Sequence, residues 1–410
     1  MADNQSLPQN WHWERLGKYI DSTKNGYGRR PQGIEDGPIV LRLADVTQGY
    51  IDLSNTRRVA MTAEERATYG LNKGDVLFIR VNGSREFVGQ CVLVNDNYDD
   101  VAFNDHLIRV RLKPGLLSEY LYRVMAFPPI RSRLLAFIPP TVGGQLTINQ
   151  QNLANCEIPV PPLPEQHAIA AILGTWDKAI ALTEGRIAVA EQRKKALMQR
   201  LLTGRVRFSE FRTSKWVTCR IRDLVKSVRR PIVWNDDETY NLISVKRRSG
   251  GLFLRQSLVG REIKTKQMNI ARTGDFLISK MQVVHGAWAL TPQEFDGMHI
   301  SNSYMALVSR DSSKLDIRYF DWLSRMPFMY HLAYVSSSGV HIEKMSFDLQ
   351  DFLKRKITVP GSVDEQKTMI SLLNACDREL DLLRRKRDAL QRQKKGLMQR
   401  LLTGQVRVKI

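Results

Sequence analysis

The chain has 410 residues, 43% of them hydrophobic, with 62 Lys and Arg against 42 Asp and Glu and a formal charge of +20. That length exceeds one ordinary core and points to two or three domains. The composition excludes a disordered chain, no apolar run approaches the ~20 residues of a membrane span, and the basic excess suggests a polyanion as partner.

The opening stretch, MADNQSLPQNWHWERLGKYI, lacks a basic region followed by an apolar one. No secretory leader is therefore expected, and the expected location is the cytoplasm. Strands are predicted at 74–81, 87–94 and 106–112, the first entered through a Gly-Asp turn, and a helical stretch at 118–136. A short β-like segment, IPVPPLPEQ, closes the first globe, and Pro164 then suits a helix start. From there Ile169, Leu173, Trp176, Ile180, Thr183, Ile187, Ala190, Lys194, Leu197 and Leu201 recur at alternating steps of four and three. This is the heptad spacing of a coiled coil, and Gly204 follows as a helix cap. The second half repeats the plan. Strands are predicted at 274–281, 286–291 and 303–309, and a helical stretch at 317–334. A second 4-3 series runs through Met369, Leu373, Cys376, Leu380, Leu383, Arg387, Leu390, Lys394, Leu397 and Leu401 to Gly404.

The two halves are copies. KKALMQRLLTGRVRF from Lys194 and KKGLMQRLLTGQVRV from Lys394 lie 200 residues apart and agree at twelve of fifteen positions. PEQ at 164–166 answers DEQ at 364–366, GDVLFIRV answers GDFLISKM, and NWHWERLGKYI answers KWVTCRIRDLV. A ~200-residue unit used twice is not a solenoid, whose periods are about 20–50 residues. The expected fold class is α+β. Two mixed α/β globes, related by a pseudo-twofold axis, are joined by two long helices that pair as an antiparallel coiled coil. The expected bounds are 1–160 and 209–360 for the globes, and 161–208 and 361–410 for the helical spacers. Their net charges are +1, +9, +4 and +6 in that order. About 38 residues at ~1.5 Å per residue give a rod of roughly 57 Å.

Catalytic motifs are not evident. There is no GxxxxGK[ST] for nucleotide phosphates and no Asn/Asp-Pro-Pro-Tyr/Phe methyltransferase loop. GYGRRP at 26–31 lacks the third glycine of a dinucleotide fingerprint. Glu262-Ile263-Lys264 has a nuclease-like spacing that also fits a solvated strand. His285, His299, His331 and His341 fit no metal pattern, nor do Cys91, Cys156, Cys219 and Cys376, which lack paired CxxC spacing. No metal and no cofactor are expected on this chain.

Polar loops offer a DNA-reading surface instead. RVNGSREFVG places Arg80, Asn82, Ser84 and Arg85 around a glycine between two strands. Guanidinium groups suit guanine and amides suit adenine, although a plain hairpin with solvated charges has the same sequence. The equivalent KMQVVHG carries Lys280, Gln282 and His285, as two different half-sites would require. Lys24, Arg29 and Arg30 in the first globe, with Arg229, Arg230, Lys246, Arg247 and Arg248 in the second, suit phosphate contacts. The Gly-centred loops TVGGQLTI at 141–148 and SSSGVHIEK at 336–344 can approach phosphate through backbone amides or simply turn the chain. Outward cations on the helices, among them Arg193, Lys195, Arg200, Arg384, Arg385, Arg392 and Lys395, suit DNA, a partner or solvent alike.

The doubled KKxLMQRLLTG, together with IPVPPLPEQHAIAAIL, ITVPGSVDEQKTMISLL and the two-unit plan, resembles the DNA-specificity subunit of type I restriction–modification systems. The resemblance covers nearly the whole chain, departing where Asp364 replaces the second motif's proline. It implies two target-recognition domains, each reading half of an asymmetric bipartite site in double-stranded DNA, with the helices setting the gap between halves. It also implies a non-catalytic role beside two modification (methyltransferase) subunits that methylate adenine, and beside restriction (translocase/nuclease) subunits. S-adenosylmethionine, ATP and Mg would then sit on those partners. The rival readings are a two-headed protein scaffold, with little DNA affinity, and a stand-alone nuclease or methyltransferase, with intrinsic activity.

Overall fold

The computed structural model describes residues 7–30, 36–47, 49–98, 100–138, 144–339, 341–342 and 345–409. The chain divides into two compact units, one built from 1–184 together with 385–410, the other from the continuous stretch 185–384. Each unit combines a globe with the first part of its own long helix and the last part of the other repeat's.

In the first unit the central sheet is antiparallel, with strand order Ile20–Asn25, Leu107–Leu112, Val76–Ile79, Cys91–Leu93. Val76, Leu77, Phe78 and Ile79 are all buried, because the strand is covered on both faces. In the second unit the same sheet runs Val225–Val228, Tyr304–Ser309, Phe276–Ser279, Trp288–Leu290. A further four-stranded sheet there is built on Thr239–Val245 and Leu252–Val259. The predicted strands therefore form, each trimmed by a few residues at its ends.

The predicted helical stretches are corrected in one respect. Each is two helices, Ser118–Ala126 and Pro128–Leu135 in the first unit, Ile317–Ser324 and Pro327–Val335 in the second. Proline disfavours helical backbone at the residue before it and opens a new helix at its own position. Phe127 and Met326 are accordingly extended, with ψ of 118° and 144°.

The long helices span Leu163–Leu201 and Val363–Leu402. The second starts at the same place as the first despite Asp364. Every position of both 4-3 series is buried or half-buried, and none is exposed. In the first unit Ile169 and Leu173 pack into one cluster with Met398, Leu401 and Leu402, and Lys394 donates to Asp177. In the second unit Leu201 shares a cluster with Met369 and Leu373, Ile187 and Ala190 meet Leu380 and Leu383, and Lys194 donates to Asp377. Within each unit the two helical segments therefore run antiparallel. Gly204 and Gly404 close them in the left-handed conformation, with φ of 70° and 71°. Val206 and Val406 then donate back to the carbonyls of Arg200 and Arg400, 3.1 Å in each case.

Candidate nucleic-acid interface

Each globe is fastened to its helix by the same two side chains. Gln166 is fully buried; its Oε1 accepts from the Leu117 amide at 2.9 Å, and its Nε2 donates to the carbonyls of Gly115 and Pro161. Gln366 repeats this with the amide of Asp316 and the carbonyls of Lys314 and Pro360. The glutamates beside them face the tail of the other repeat's helix. Glu165 accepts from the Arg407 guanidinium and from the Trp11 indole at 2.8 Å. Glu365 accepts from Arg207 and from the Trp216 indole at 3.3 Å. Motif similarity flagged these residues without revealing that role.

Beyond the anchor, the Gly-Asp corners carry a buried carboxylate in each unit. Asp75 is 2% exposed and Asp275 is 1% exposed. Asp75 takes Arg111 at 2.8 Å, and Asp275 takes both ends of the Arg230 guanidinium at 2.6 and 3.0 Å. Arg230, suggested for phosphate, is thus tied into the fold by a buried partner, while its neighbour Arg229 remains exposed.

The first unit brings two of its candidate residues, Arg30 and Arg80, to the turn after Val101–Phe103. Arg80 donates from its backbone to His106 and from Nη1 to the Asp105 carbonyl, at 2.8 and 3.0 Å. Arg30 reaches the Asp105 carboxylate at 2.8 Å. The two loops, fifty residues apart in sequence, therefore meet at Asp105. Gly26 makes this possible, since a Cβ there would lie 2.0 Å from the Asn104 carbonyl oxygen. Arg29 donates to the Ala60 carbonyl, and Lys24 stands over the Tyr69 ring. Asn82 accepts from the Ser84 amide at 2.8 Å and Ser84 from the Glu86 amide at 3.2 Å, so both side chains shape their loop. Arg85 projects into solvent.

The second unit joins two predicted loops. Arg248 and Ser249 donate their backbone amides to the carbonyls of His285 and Gly286, 2.8 Å each. Both are non-glycine residues at positive φ, 57° and 51°, a conformation that costs about 1–3 kcal/mol and persists only where surrounding contacts fix it. The Ser249 hydroxyl is held by the Trp288 indole and Tyr330. Lys246, Arg247 and Arg248 are exposed beside the half-buried Gln282 and His285, while Lys280 lies at the end of its strand, bonded through its backbone to Ser303. Glu262 accepts from the Val259 amide and shapes a turn. Parts of the Gly-centred loops, residues 141–143, 340, 343 and 344, lie outside the described residues, as do 31–33 after Arg30.

Two globes with the same anchors and differing basic loops define a duplicated chain. Residues 49–192 match the model of the type I restriction modification DNA specificity domain. Over 98% of its length the chain is 24% identical to the MjaX type I restriction enzyme specificity subunit of Methanocaldococcus jannaschii, covering 95% of that protein. A 161-residue stretch, 39% of the chain, is 35% identical to the StySPI specificity subunit of Salmonella potsdam, about a third (34%) of whose length it spans. In fold, it is similar to the crystal structure of the type I restriction–modification S subunit from M. genitalium, with a TM-score of 0.59 at 13% identity and 98% of each chain covered. Along nearly its whole length the chain is therefore similar in sequence to a type I restriction enzyme specificity subunit and in fold to a solved S subunit.

Proposed function

We propose that this chain selects the DNA target of a type I restriction–modification enzyme. Each unit reads one half of a bipartite site, and the chemistry is left to other subunits. The observation that carries this reading is the duplication itself. The buried anchors, Glu165–Gln166 and Glu365–Gln366, are the same in both units, whereas the loops after the central strand differ in chemistry, with Arg80, Asn82 and Arg85 in one and Lys280, Gln282 and His285 in the other. Shared anchors with divergent readers suit one enzyme recognising two unlike half-sites, because base edges are discriminated by donor and acceptor pattern while phosphate contacts only position.

The expected partners are two methyltransferase subunits, which would bring S-adenosylmethionine and methylate adenine, and restriction subunits, which would bring ATP and Mg for translocation and cleavage. The cytoplasm is the expected location; no described helix is long and apolar enough to cross a membrane. Adenine methylation mapped across the genome of cells with and without the intact gene tests the reading. Loss of one bipartite motif on deletion is the expected result. An unchanged methylation pattern, in cells whose methyltransferase subunit co-purifies with the chain, would overturn it.

A further inference from the structure

The strand registers place Asp105 and Asn302 at the same point of the two units. Ile79 pairs with Leu107 and Ser279 with Tyr304, and the next residues, Arg80 and Lys280, donate their amides to His106 and Ser303. The residue one step earlier in the turn is Asp105 in the first unit and Asn302 in the second. At this point the first unit gathers charge, with Arg30 on the Asp105 carboxylate and Arg80 on its carbonyl. The second unit gathers neutral amides. Asn302 donates from Nδ2 to Gln267 at 2.7 Å and accepts from Asn269 Nδ2 at 3.0 Å.

That chain of three amides is ordered but not saturated. An amide group carries two N–H donors and an oxygen with two lone pairs. Asn302 uses one N–H and one lone pair on its neighbours, which fixes its orientation and leaves one donor and one acceptor for a ligand. Asn269 is seated in a short strand, Met268–Ile270, paired on one side with His299–Ser301 and bridged on the other to Pro231. Asn302 and Asn269 both line a cleft of about 700 Å³ beside Arg229 and Gln350. Asn302 also lines the neighbouring cleft, beside Lys280. The exposed Arg229 and the half-buried Lys280 therefore stand next to an oriented neutral donor–acceptor pair.

We infer that the amide chain Gln267–Asn302–Asn269 is a base-reading element of the second unit, and that the base it reads is adenine. A fixed side-chain amide matches the N6 donor and N7 acceptor of adenine in the major groove, whereas guanine presents two acceptors there. Arg229 and Lys280 supply the phosphate contacts that hold the register. This inference rests on the DNA-selecting function proposed above.

The test is the methylated motif in cells carrying the full-length chain and its partner methyltransferase, for the wild type and for Asn302→Ala, Asn302→Ser and Asn269→Ala. Both positions changed lie at the surface or edge of a sheet, and a thermal melt of each purified complex establishes that it folds. The expected result is relaxation at a single A·T position of one half-site, by roughly tenfold to a hundredfold in discrimination, with the other half-site unchanged. Variants that fold and keep the wild-type motif would overturn the inference while leaving the function standing. So would relaxation confined to a G·C position. A wild-type chain that confers no bipartite motif would overturn the function and this inference with it.

Discussion

Arg207 donates from Nε and Nη2 to the two carboxylate oxygens of Glu365, at 2.8 and 2.7 Å, across 158 residues of chain. Glu365 is fully buried, and its Oε1 also takes the Trp216 indole. Two donors therefore converge on a carboxylate removed from water. Glu365→Ala should lower the thermal midpoint of the second unit sharply, since it strands both donors. Glu365→Gln, which keeps an acceptor for Trp216, should lower it less. In a double-mutant cycle, Arg207→Ala should add little once Glu365 is gone. Additive losses would show that the two residues do not act as a pair.

The helical seams should respond as packed core. Leu173 and Leu373 are both fully buried in their respective clusters. Leu173→Ala and Leu373→Ala should each cost about 2–5 kcal/mol, read from denaturant unfolding. A loss below about 1 kcal/mol would mean that the seam collapses around the gap.

The ion pairs on the outer faces should matter much less. Arg193 pairs with Glu379 and Arg384 with Glu191, with all four side chains about half exposed. Glu379→Ala and Glu191→Ala should each change stability by less than about 1 kcal/mol, and the difference should shrink further in high salt.

The four thiols should separate by reactivity. Cys91 and Cys156 are buried, and removal from water pushes both thiols up to about 12. Cys376 is buried as well, and Cys219 is partly exposed. Only the thiolate attacks an alkylating reagent. At pH 8 the native protein should label first at Cys219, with the others following only on unfolding. Mass spectrometry of the labelled peptides would read this directly, and rapid labelling of Cys156 would contradict the described burial.

Arg247 stands exposed on a loop held at positive φ by Ser249 and Trp288. If it contacts phosphate, Arg247→Ala should weaken DNA binding about equally on all sequences. It should also reduce the slope of log K against log salt by about 1. Changed sequence preference with an unchanged slope would instead make it a base reader.

Periodicity and internal repetition made the long helices, their pairing faces and the central strands readable in advance. Burial at 4-3 spacing is a local pattern, and it survives in the sequence. The break at Phe127 and Met326 was also written there, as a proline after each, but the surrounding helical composition concealed it. The junctions of the candidate site were not readable. Asp105 meets Arg30 and Arg80 from three separate segments, and Asn302 meets Gln267 and Asn269 through strand pairing. Such contacts follow from register, which no short window contains. The same holds for Arg230, whose buried partner Asp275 lies 45 residues away.

The discontinuous composition of the first unit has a consequence for how the chain is made. Residues 385–410 complete that unit, whereas the second is one unbroken stretch from Gly185 to Arg384. Ribosomes add about 5–20 residues per second, so some ten to forty seconds pass between emergence of Glu184 and of the segment that closes over its globe. The half of the protein translated first is thus the half finished last. During that interval the apolar faces of Ile169 and Leu173 await Met398 and Leu401, and a nascent chain arrested before residue 385 should be open to protease in its leading globe while its trailing one resists.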